Sequence, residues 1–399
     1  MLVEIVRMDD FGRGIGYLND KVIFIPKTIV GDKVNVLVVK EYKNYLIGRV
    51  IKIIELSVNR INSKCPFFDK CGGCDLLEIN YENTLNYKVD KIANLLKRND
   101  LDLDISIVSN PNPFNYRNKV SLKIVDGLIG YYESNTNTLV NIDNCLVAKE
   151  EINKFIKEYK YLNLNNALIT IRCNYNNELL IVIESKESCN IDVDYLANKF
   201  NIKGIIYNNK CIYKDNYFYE KINNYRFKVS YNSFFQVNPY ITSKLFNYLE
   251  ENINEGIILD LYSGVGTLSI VASKNANKVY SLEIVENAIK DGILNSKLNH
   301  VNNIEFIGGN VNKTINMIND NIDTIIVDPP RSGLDNKTFD SIIKIRPNKI
   351  IYISCNPNTL MRDLSKFKED YNFDKIKLFD MFSYSEHVET VCLLKLKKL

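Results

Sequence analysis

The sequence predicts a chain of three parts, in which a small β-barrel and a β-rich middle region precede a C-terminal α/β domain on a mostly parallel, doubly wound sheet. Two features carry that expectation. After Gln236, apolar strand-like runs at residues 257–262, 279–283, 323–327, 350–354 and 391–396 alternate with helical stretches, as strands joined by crossover helices do. Before Gln236, strands follow one another across turns, interrupted by one cysteine-dense loop. At 399 residues the chain exceeds one typical core, and the expected divisions are residues 1–58, 59–235 and 236–399.

The first part reads as short β-runs, VEIV, KVIFIP, KVNVLVV and LIGRVIKII, separated by turns such as Asp9-Asp10-Phe11-Gly12 and Gly31-Asp32. This is the pattern of a small barrel of the oligonucleotide-binding kind. A barrel that only packs on its neighbour would look the same. In the second part a loop over residues 59–80 leads into a predicted helix at 81–98, with Leu85, Val89, Ile92 and Leu96 on one face; this helix is free to pack on the third part. From about Pro113 to Phe235 the runs VSLKIV, LIGYY, ALITIRC, LLIVIES, GIIYNN and RFKVSYNSFF read as strands.

Composition narrows the class. No stretch approaches the roughly 18 apolar residues of a membrane span, and the N-terminus lacks a signal-peptide pattern, so a cytoplasmic protein without a membrane partner is expected. Net charge is only +3, from 51 basic and 48 acidic residues, so a nucleic-acid surface would be a local patch. Nine cysteines, an odd number, in a reducing compartment point to metal ligation or catalysis ahead of disulfides.

The third part opens with Ile257-Ile258-Leu259-Asp260-Leu261-Tyr262-Ser263-Gly264-Val265-Gly266-Thr267, a strand running into a glycine turn and a helix. Ser269 stands where the dinucleotide fingerprint has its third glycine. Asp-x-x-x-Gly-x-Gly instead resembles the first motif of Rossmann-like methyltransferases, whose ligand S-adenosylmethionine has no pyrophosphate. Glu283, 23 residues after Asp260, ends the next strand where a carboxylate can accept both ribose hydroxyls. Asn310, in Gly308-Gly309-Asn310, falls where such enzymes contact adenine. The loop by itself leaves a nicotinamide enzyme open.

Two further strands end in marked turns at the same expected sheet edge: IIVDPPRSGL, carrying Asp328, and IIYISCNPNTLMRDL, carrying Cys355. A cysteine between a strand end and a helix N-terminus is where a thiolate is favoured. A buried inert thiol is the plainer reading of a lone cysteine. The segment from Tyr384 to Thr390 supplies a candidate base. Cys65, Cys71 and Cys74 have C-x5-C-x2-C spacing, with Cys145 a fourth ligand brought in by the fold; spacing alone does not decide between zinc and iron–sulfur. Cys173, Cys189, Cys211 and Cys392, in or beside apolar strands, read as structural thiols.

Taken together, FFQVN (234–238), DLYSGVG, DPPRSGL, SCNPNTLMRDL and HVETV resemble, in order and spacing, the RNA uracil-5-methyltransferase family, and the resemblance covers essentially the whole chain. It implies a Rossmann-like S-adenosylmethionine methyltransferase domain behind an N-terminal TRAM barrel. It makes Cys355 the nucleophile and Glu389 the base, and sets Asp328 and Gln236 where cofactor and uracil meet. Tyr262, Thr267, Glu283 and Asn310 fall at positions that contact the cofactor, whereas plain core packing would account for Phe234 and Phe235 equally well, and they are left out of the site. Cys65, Cys71, Cys74 and Cys145 match the members that carry a [4Fe–4S] cluster. The barrel together with the cluster resembles the enzymes of 23S ribosomal RNA, although cluster-bearing relatives that act on tRNA keep that target open. A monomer with RNA as its partner is expected. The competing reading from another class is a non-catalytic iron–sulfur RNA-binding sensor, which would need neither Cys355 nor Glu389.

Overall fold

The computed structural model describes residues 1–134, 136–188 and 191–398. Its N-terminal sheet has six strands in the order Leu2–Glu4, Lys33–Glu41, Tyr45–Glu55, Lys21–Ile25, Gly14–Leu18, Arg7–Met8. Side chains two residues apart point the same way in a strand. Val3 and Ile5, Ile23 and Ile25, and Val34 and Val36 obey that period, and none of the six is more than 2% exposed.

The central sheet has seven strands in the order Leu139–Asn141, Leu128–Tyr132, Lys119–Val125, Ala167–Cys173, Leu179–Glu184, Ile202–Tyr207, Lys210–Lys214. Its apolar face, with Leu122, Ile169, Ile171 and Ile181, is covered by Ile152, Phe155 and Ile156 of the helix Glu150–Lys157. The hairpin Tyr217–Ile222 and Tyr225–Ser230 belongs to neither that sheet nor the next one. Its strand edge is completed by a helix, Glu286–Leu298, and the residue following it. Asp291 accepts from Ser230 N (2.7 Å), Asn295 from Lys228 N (2.6 Å) and Asn299 from Arg226 N (2.9 Å). The spacing explains the match: four helical residues rise about 6 Å, and two strand residues advance about 6.6 Å. A carboxamide or carboxylate every fourth residue therefore meets every second strand amide.

The C-terminal sheet has eight strands in the order Ile304–Gly308, Lys278–Glu283, Ile257–Leu261, Thr324–Val327, Lys349–Ser354, Glu389–Leu396, Tyr371–Phe379, Ile105–Val108. The first five are parallel, Glu389–Leu396 runs antiparallel between its neighbours, and Ile105–Val108 joins the far edge parallel to Tyr371–Phe379. Strand order reverses between Ile257–Leu261 and Thr324–Val327, the switch point where open α/β sheets open a crevice for ligands. The antiparallel strand sets Thr390 opposite Ser354 and so brings Glu389 to the edge where Cys355 emerges.

The helix Tyr81–Arg98 has the expected bounds, and the Asn80 side chain caps it by accepting from Asn83 N at 2.9 Å. Ile92 and Leu96 face the core as expected, whereas Leu85 and Val89 are only half-buried. Thr84, Lys88 and Lys91 are buried instead, because this helix docks on a polar loop, residues 380–387, as well as on an apolar core. Among the described residues, no helix is long and apolar enough to cross a membrane.

Candidate active site

Glycine turns at a strand end let backbone approach a ligand, and here two glycines divide the task. Gly264 has φ 56° and a Cβ there would meet nothing within 4 Å; Gly266 has φ 78° and a Cβ there would lie 3.1 Å from the Phe306 ring. Gly266 therefore lets the loop close onto the domain, while Gly264 leaves an open face. Tyr262, at the start of the turn, holds φ 64° without being glycine, a strained conformation of the kind found at binding sites. Its phenol is half-buried towards Thr338. Thr267 is half-buried at the first position of the helix Thr267–Ser273.

Below the loop, Asp260 is fully buried; one oxygen accepts from Ser269 Oγ at 2.5 Å and the other has no partner. Burial pushes its carboxyl up to about 7, the Ser269 hydrogen bond opposing and Asp328 adding to the rise. Glu283 is fixed by three amides: Oε1 accepts from Ile284 N and Val285 N, and Oε2 from Gly264 N, each at 2.8 Å. Gly309 N donates to Glu283 O at 2.9 Å, which brings the exposed Asn310 beside it. An orphaned carboxylate oxygen, an open glycine face and a pre-oriented carboxylate form a cradle fitted to a hydroxyl-bearing, cationic ligand.

Asp328 leaves the strand Thr324–Val327, Cys355 leaves Lys349–Ser354, and Glu389 begins Glu389–Leu396. The three converge. Burial pushes Asp328 up to about 7, and burial together with Asp328 pushes Glu389 well above the usual carboxylate range. The Cys355 thiol is pushed up to about 11 by burial first, then by Glu389 and Asp328, with Arg331 opposing. The expected helix-stabilised thiolate is thus corrected: without ligands the group is a neutral thiol. Cys355 lies ahead of the cap, and the Asn356 side chain already accepts from Asn358 N (3.2 Å), so that amide is engaged by the cap and not by the sulfur.

Arg331 was not singled out from the sequence. It hydrogen-bonds the Cys355 sulfur, and its carbonyl accepts from Asn356 Nδ2 at 2.8 Å, tying the turns after the strands Thr324–Val327 and Lys349–Ser354 together. The signal was present in DPPRSGL, since a thiolate beside two carboxylates requires a nearby cation. Gln236 is positioned from another quarter: Asn118 Nδ2 reaches its carbonyl and Asn118 N donates to Val237 O at 3.0 Å, so its contacts are with the central sheet. Phe235 is buried, as expected of a core aromatic, but Phe234 is 66% exposed and is not one.

Cys65, Cys71, Cys74 and Cys145 line one pocket, walled by Phe67, Phe68, Leu77 and Tyr131. Burial and the proximity of Cys145 raise the thiols of Cys65, Cys71 and Cys74. Among the described residues, no three His, Cys, Asp or Glu side chains are gathered tightly enough to hold a metal ion. A donor set of sulfur alone in an apolar pocket nevertheless suits a soft, thiolate-ligated group. Cys173 and Cys392 are buried as structural thiols are, Cys211 is exposed, and Cys189 lies outside the described residues.

A family model described as tRNA (Uracil-5-)-methyltransferase matches residues 80–397, and a TRAM-domain model matches residues 1–51. An RNA methyltransferase of Clostridium tetani is 33% identical over 436 residues, covering 98% of this chain and 95% of that protein. One of Fusobacterium nucleatum is 33% identical over 438 residues, covering 97% and 93%. Among solved structures, the Pyrococcus abyssi tRNA (uracil-54, C5)-methyltransferase in complex with S-adenosyl-L-homocysteine superposes with a TM-score of 0.81 at 27% identity, covering 99% of this chain and 100% of that one. These matches set aside the dinucleotide-dependent alternative that the glycine loop alone left open. The chain belongs to the RNA uracil-5-methyltransferase family, S-adenosylmethionine-dependent enzymes with an N-terminal TRAM domain.

Proposed function

We propose that this enzyme methylates C5 of a uridine in 23S ribosomal RNA, with Cys355 as covalent nucleophile and Glu389 as base. The convergence of Cys355, Glu389 and Asp328 beside the Gly264 loop carries the reading. C5 of uracil is a weak nucleophile until something adds to C6. The Cys355 thiol first releases its proton to solvent; the thiolate sulfur then bonds to C6, and the C5–C6 π electrons move to O4 as an enolate. The bound sulfonium supplies the methyl group that C5 then takes. Glu389 removes the C5 proton; C5=C6 re-forms and the C6–sulfur bond breaks. Arg331 favours the thiolate in the first and last steps. A cationic cofactor held near Asp328 and Glu389 also favours all three ionised groups, so cofactor binding and thiol activation are coupled. The uridine must be single-stranded or flipped from its stack to reach Cys355.

On this reading Glu283 and Asn310 hold the adenosyl part, Tyr262 and Thr267 flank it, and Asp328 and Gln236 lie where methyl donor and uracil meet. Cys65, Cys71, Cys74 and Cys145 hold a [4Fe–4S] cluster whose contribution is architectural, tying the cysteine loop to the central sheet. Support comes from their shared sulfur-only pocket.

The ribosomal target rests on the resemblance of barrel plus cysteine set. A tRNA target is favoured by a different observation, the full-length structural similarity to the tRNA enzyme of Pyrococcus abyssi. One experiment separates them: incubate the protein with labelled S-adenosylmethionine and either ribosomal RNA or tRNA from a modification-deficient strain, then map the labelled nucleoside. Label in 5-methyluridine of 23S RNA supports the first reading, and label confined to tRNA replaces it with the second. Label in neither, or on another base, removes the proposal.

A further inference from the structure

The central sheet presents a feature that its own stability does not explain. Lys119 and Arg172 are directly opposed on neighbouring antiparallel strands, an arrangement of like charges that destabilises a sheet. Arg172 is 4% exposed; Nη2 donates to Ser233 O at 2.6 Å, the guanidinium lies 5.6 Å from the centre of the Phe218 ring, and Nε has no hydrogen-bond partner. No carboxylate compensates either cation among the described residues. Burial lowers Arg172 to about 10, and burial together with Arg172 and Arg117 lowers Lys119 to about 8, so each charge is held at a cost.

The place of the pair in the fold points to a ligand. Lys119 and Arg172 border a crevice too tight to admit a water molecule, shared with Phe235 and Gln236, the segment assigned to the uracil side of the active site, so a ligand can meet them only at its mouth. On the same sheet face the hydroxyls of Ser121 and Thr170 are paired at 2.9 Å, followed by Lys123, so a polar, cationic strip runs away from Gln236. A buried arginine and a half-buried lysine without a carboxylate partner, at the end of such a strip, are matched by an anion, and RNA is the anionic substrate class of this family.

We propose that Lys119 and Arg172 form a seat for one phosphodiester of the substrate RNA, at the mouth of their recess and next to the nucleotide held at Gln236. The inference rests on RNA being the substrate class and not on the Cys355 mechanism. Phosphate neutralisation at this seat settles the strand before its base enters the site, and supplies the counter-charge that the free protein lacks.

The test measures binding of full-length protein to a short single-stranded oligouridylate over a range of salt. Lys119→Met and Arg172→Gln should each weaken binding and flatten the slope of log affinity against log salt by up to about 0.7, the value for one single-strand phosphate. S-adenosylmethionine affinity should stay unchanged, and the unfolding midpoint should hold or rise, since an uncompensated charge is gone. Replacing single phosphates by neutral methylphosphonates, one position at a time, should find one position that weakens wild-type binding and leaves Lys119→Met indifferent. Lys119→Met keeps the Arg172–Ser233 hydrogen bond, so it remains readable if Arg172→Gln folds poorly. Wild-type salt slopes in both variants, or a fall in stability with no change in slope, would overturn the proposal in favour of a structural role. Because this binding requires no methyl transfer, its outcome is independent of whether Cys355 is the nucleophile.

Discussion

Lys88 and Asp380, 292 residues apart in the chain, form an ion pair from which water is shut out: Nζ to Oδ1 is 2.5 Å and neither side chain is exposed. The same carboxylate accepts from Tyr81 OH (2.5 Å) and Ser383 Oγ (2.6 Å), and Lys88 also donates to Phe382 O at 2.9 Å. Three residues on, less than one helical turn, Lys91 holds Glu386 by its carbonyl (2.9 Å) and its carboxylate (2.5 Å). The helix Tyr81–Arg98 thus grips the loop that delivers Glu389.

Removing one member of a buried pair leaves the other charge uncompensated, which costs about 3–5 kcal/mol. Asp380 keeps two hydroxyl donors, so Lys88→Met should fall near the lower end, about 3 kcal/mol, in urea unfolding. The double variant Lys88→Met/Asp380→Asn should recover most of that loss. Equal destabilisation by the single and double variants would show that the pair is not coupled.

Asp260 gives a prediction of opposite sign. Its folded pKa, about 7, lies above the ordinary 3.8, so the folded state holds the proton more tightly than the unfolded chain. Stability from that difference is complete below about 4 and is lost as pH rises through 7. Glu220, which burial also lifts to about 7, acts in the same direction. Asp260→Asn cannot ionise and should raise the unfolding midpoint of the ligand-free enzyme at pH 8 while changing little at pH 5. It should also weaken S-adenosylmethionine binding, measured by calorimetry. An unchanged midpoint at pH 8 would mean that Asp260 is not desolvated in solution.

Activity should rise with pH through the neutral range. On the proposed mechanism Glu389 must be ionised to take the C5 proton, and burial with Asp328 raises its carboxyl well above the usual carboxylate range. Cys355, raised by burial and by both acids, also needs its proton removed. Expected is a kcat/KM that climbs between pH 6 and 9. Arg331→Met, which removes a charge and a hydrogen bond that lower the thiol, should shift the alkaline part of that profile upward and cut kcat/KM by roughly ten-fold at pH 7.5, about one pKa unit. A flat profile in both proteins would refute the assigned ionisations.

What the sequence made legible follows from what local pattern can encode. The strands at residues 257–262, 323–327 and 350–354 are uninterrupted apolar runs, and they lie within a residue or two of those observed. Motifs at the ends of those strands pointed to Asp328 and Cys355 because a parallel sheet delivers its carboxyl ends to one edge. Lys88 was unreadable, since a lysine in an amphipathic helix ordinarily marks the solvent face. The strand Ile105–Val108 was missed because four residues after an Asp-rich stretch carry no signal until Tyr371–Phe379 pairs with them. The state of the Cys355 thiol depends on carboxylates that meet only through space. The opposition of Lys119 and Arg172 depends on a strand register no single segment contains.

The cysteine pocket makes a chemical prediction. Purified without oxygen, the protein should be brown and contain about four irons per chain. Lys27, which donates from the barrel to Cys71 O (3.1 Å) and Cys74 O (2.6 Å) and lies over the Phe68 ring, braces this loop. Lys27→Ala should therefore speed loss of iron to a chelator by several-fold without altering S-adenosylmethionine affinity. Stoichiometric zinc with no iron would replace the cluster by a zinc site.

In the proposed mechanism nucleophile and base act on opposite sides of one covalent intermediate, and this makes their loss distinguishable. Cys355→Ala has no sulfur to add to C6, forms no enolate, and should bring methyl transfer to background while S-adenosylmethionine still binds. Glu389→Gln keeps the sulfur, and the neutral amide replaces a carboxyl whose ionisation burial and Asp328 disfavour, so the fold should be retained. Addition and methylation proceed, but the C5 proton stays and elimination stalls. That variant should accumulate a protein–RNA adduct that survives denaturation and already carries the methyl group. With labelled methyl donor, a denaturing gel should show label migrating with cross-linked protein for Glu389→Gln and no such band for Cys355→Ala. Turnover by Cys355→Ala would remove it as nucleophile. Normal turnover by Glu389→Gln would pass the role of base to Asp328, the one other carboxylate shown to press on the Cys355 thiol.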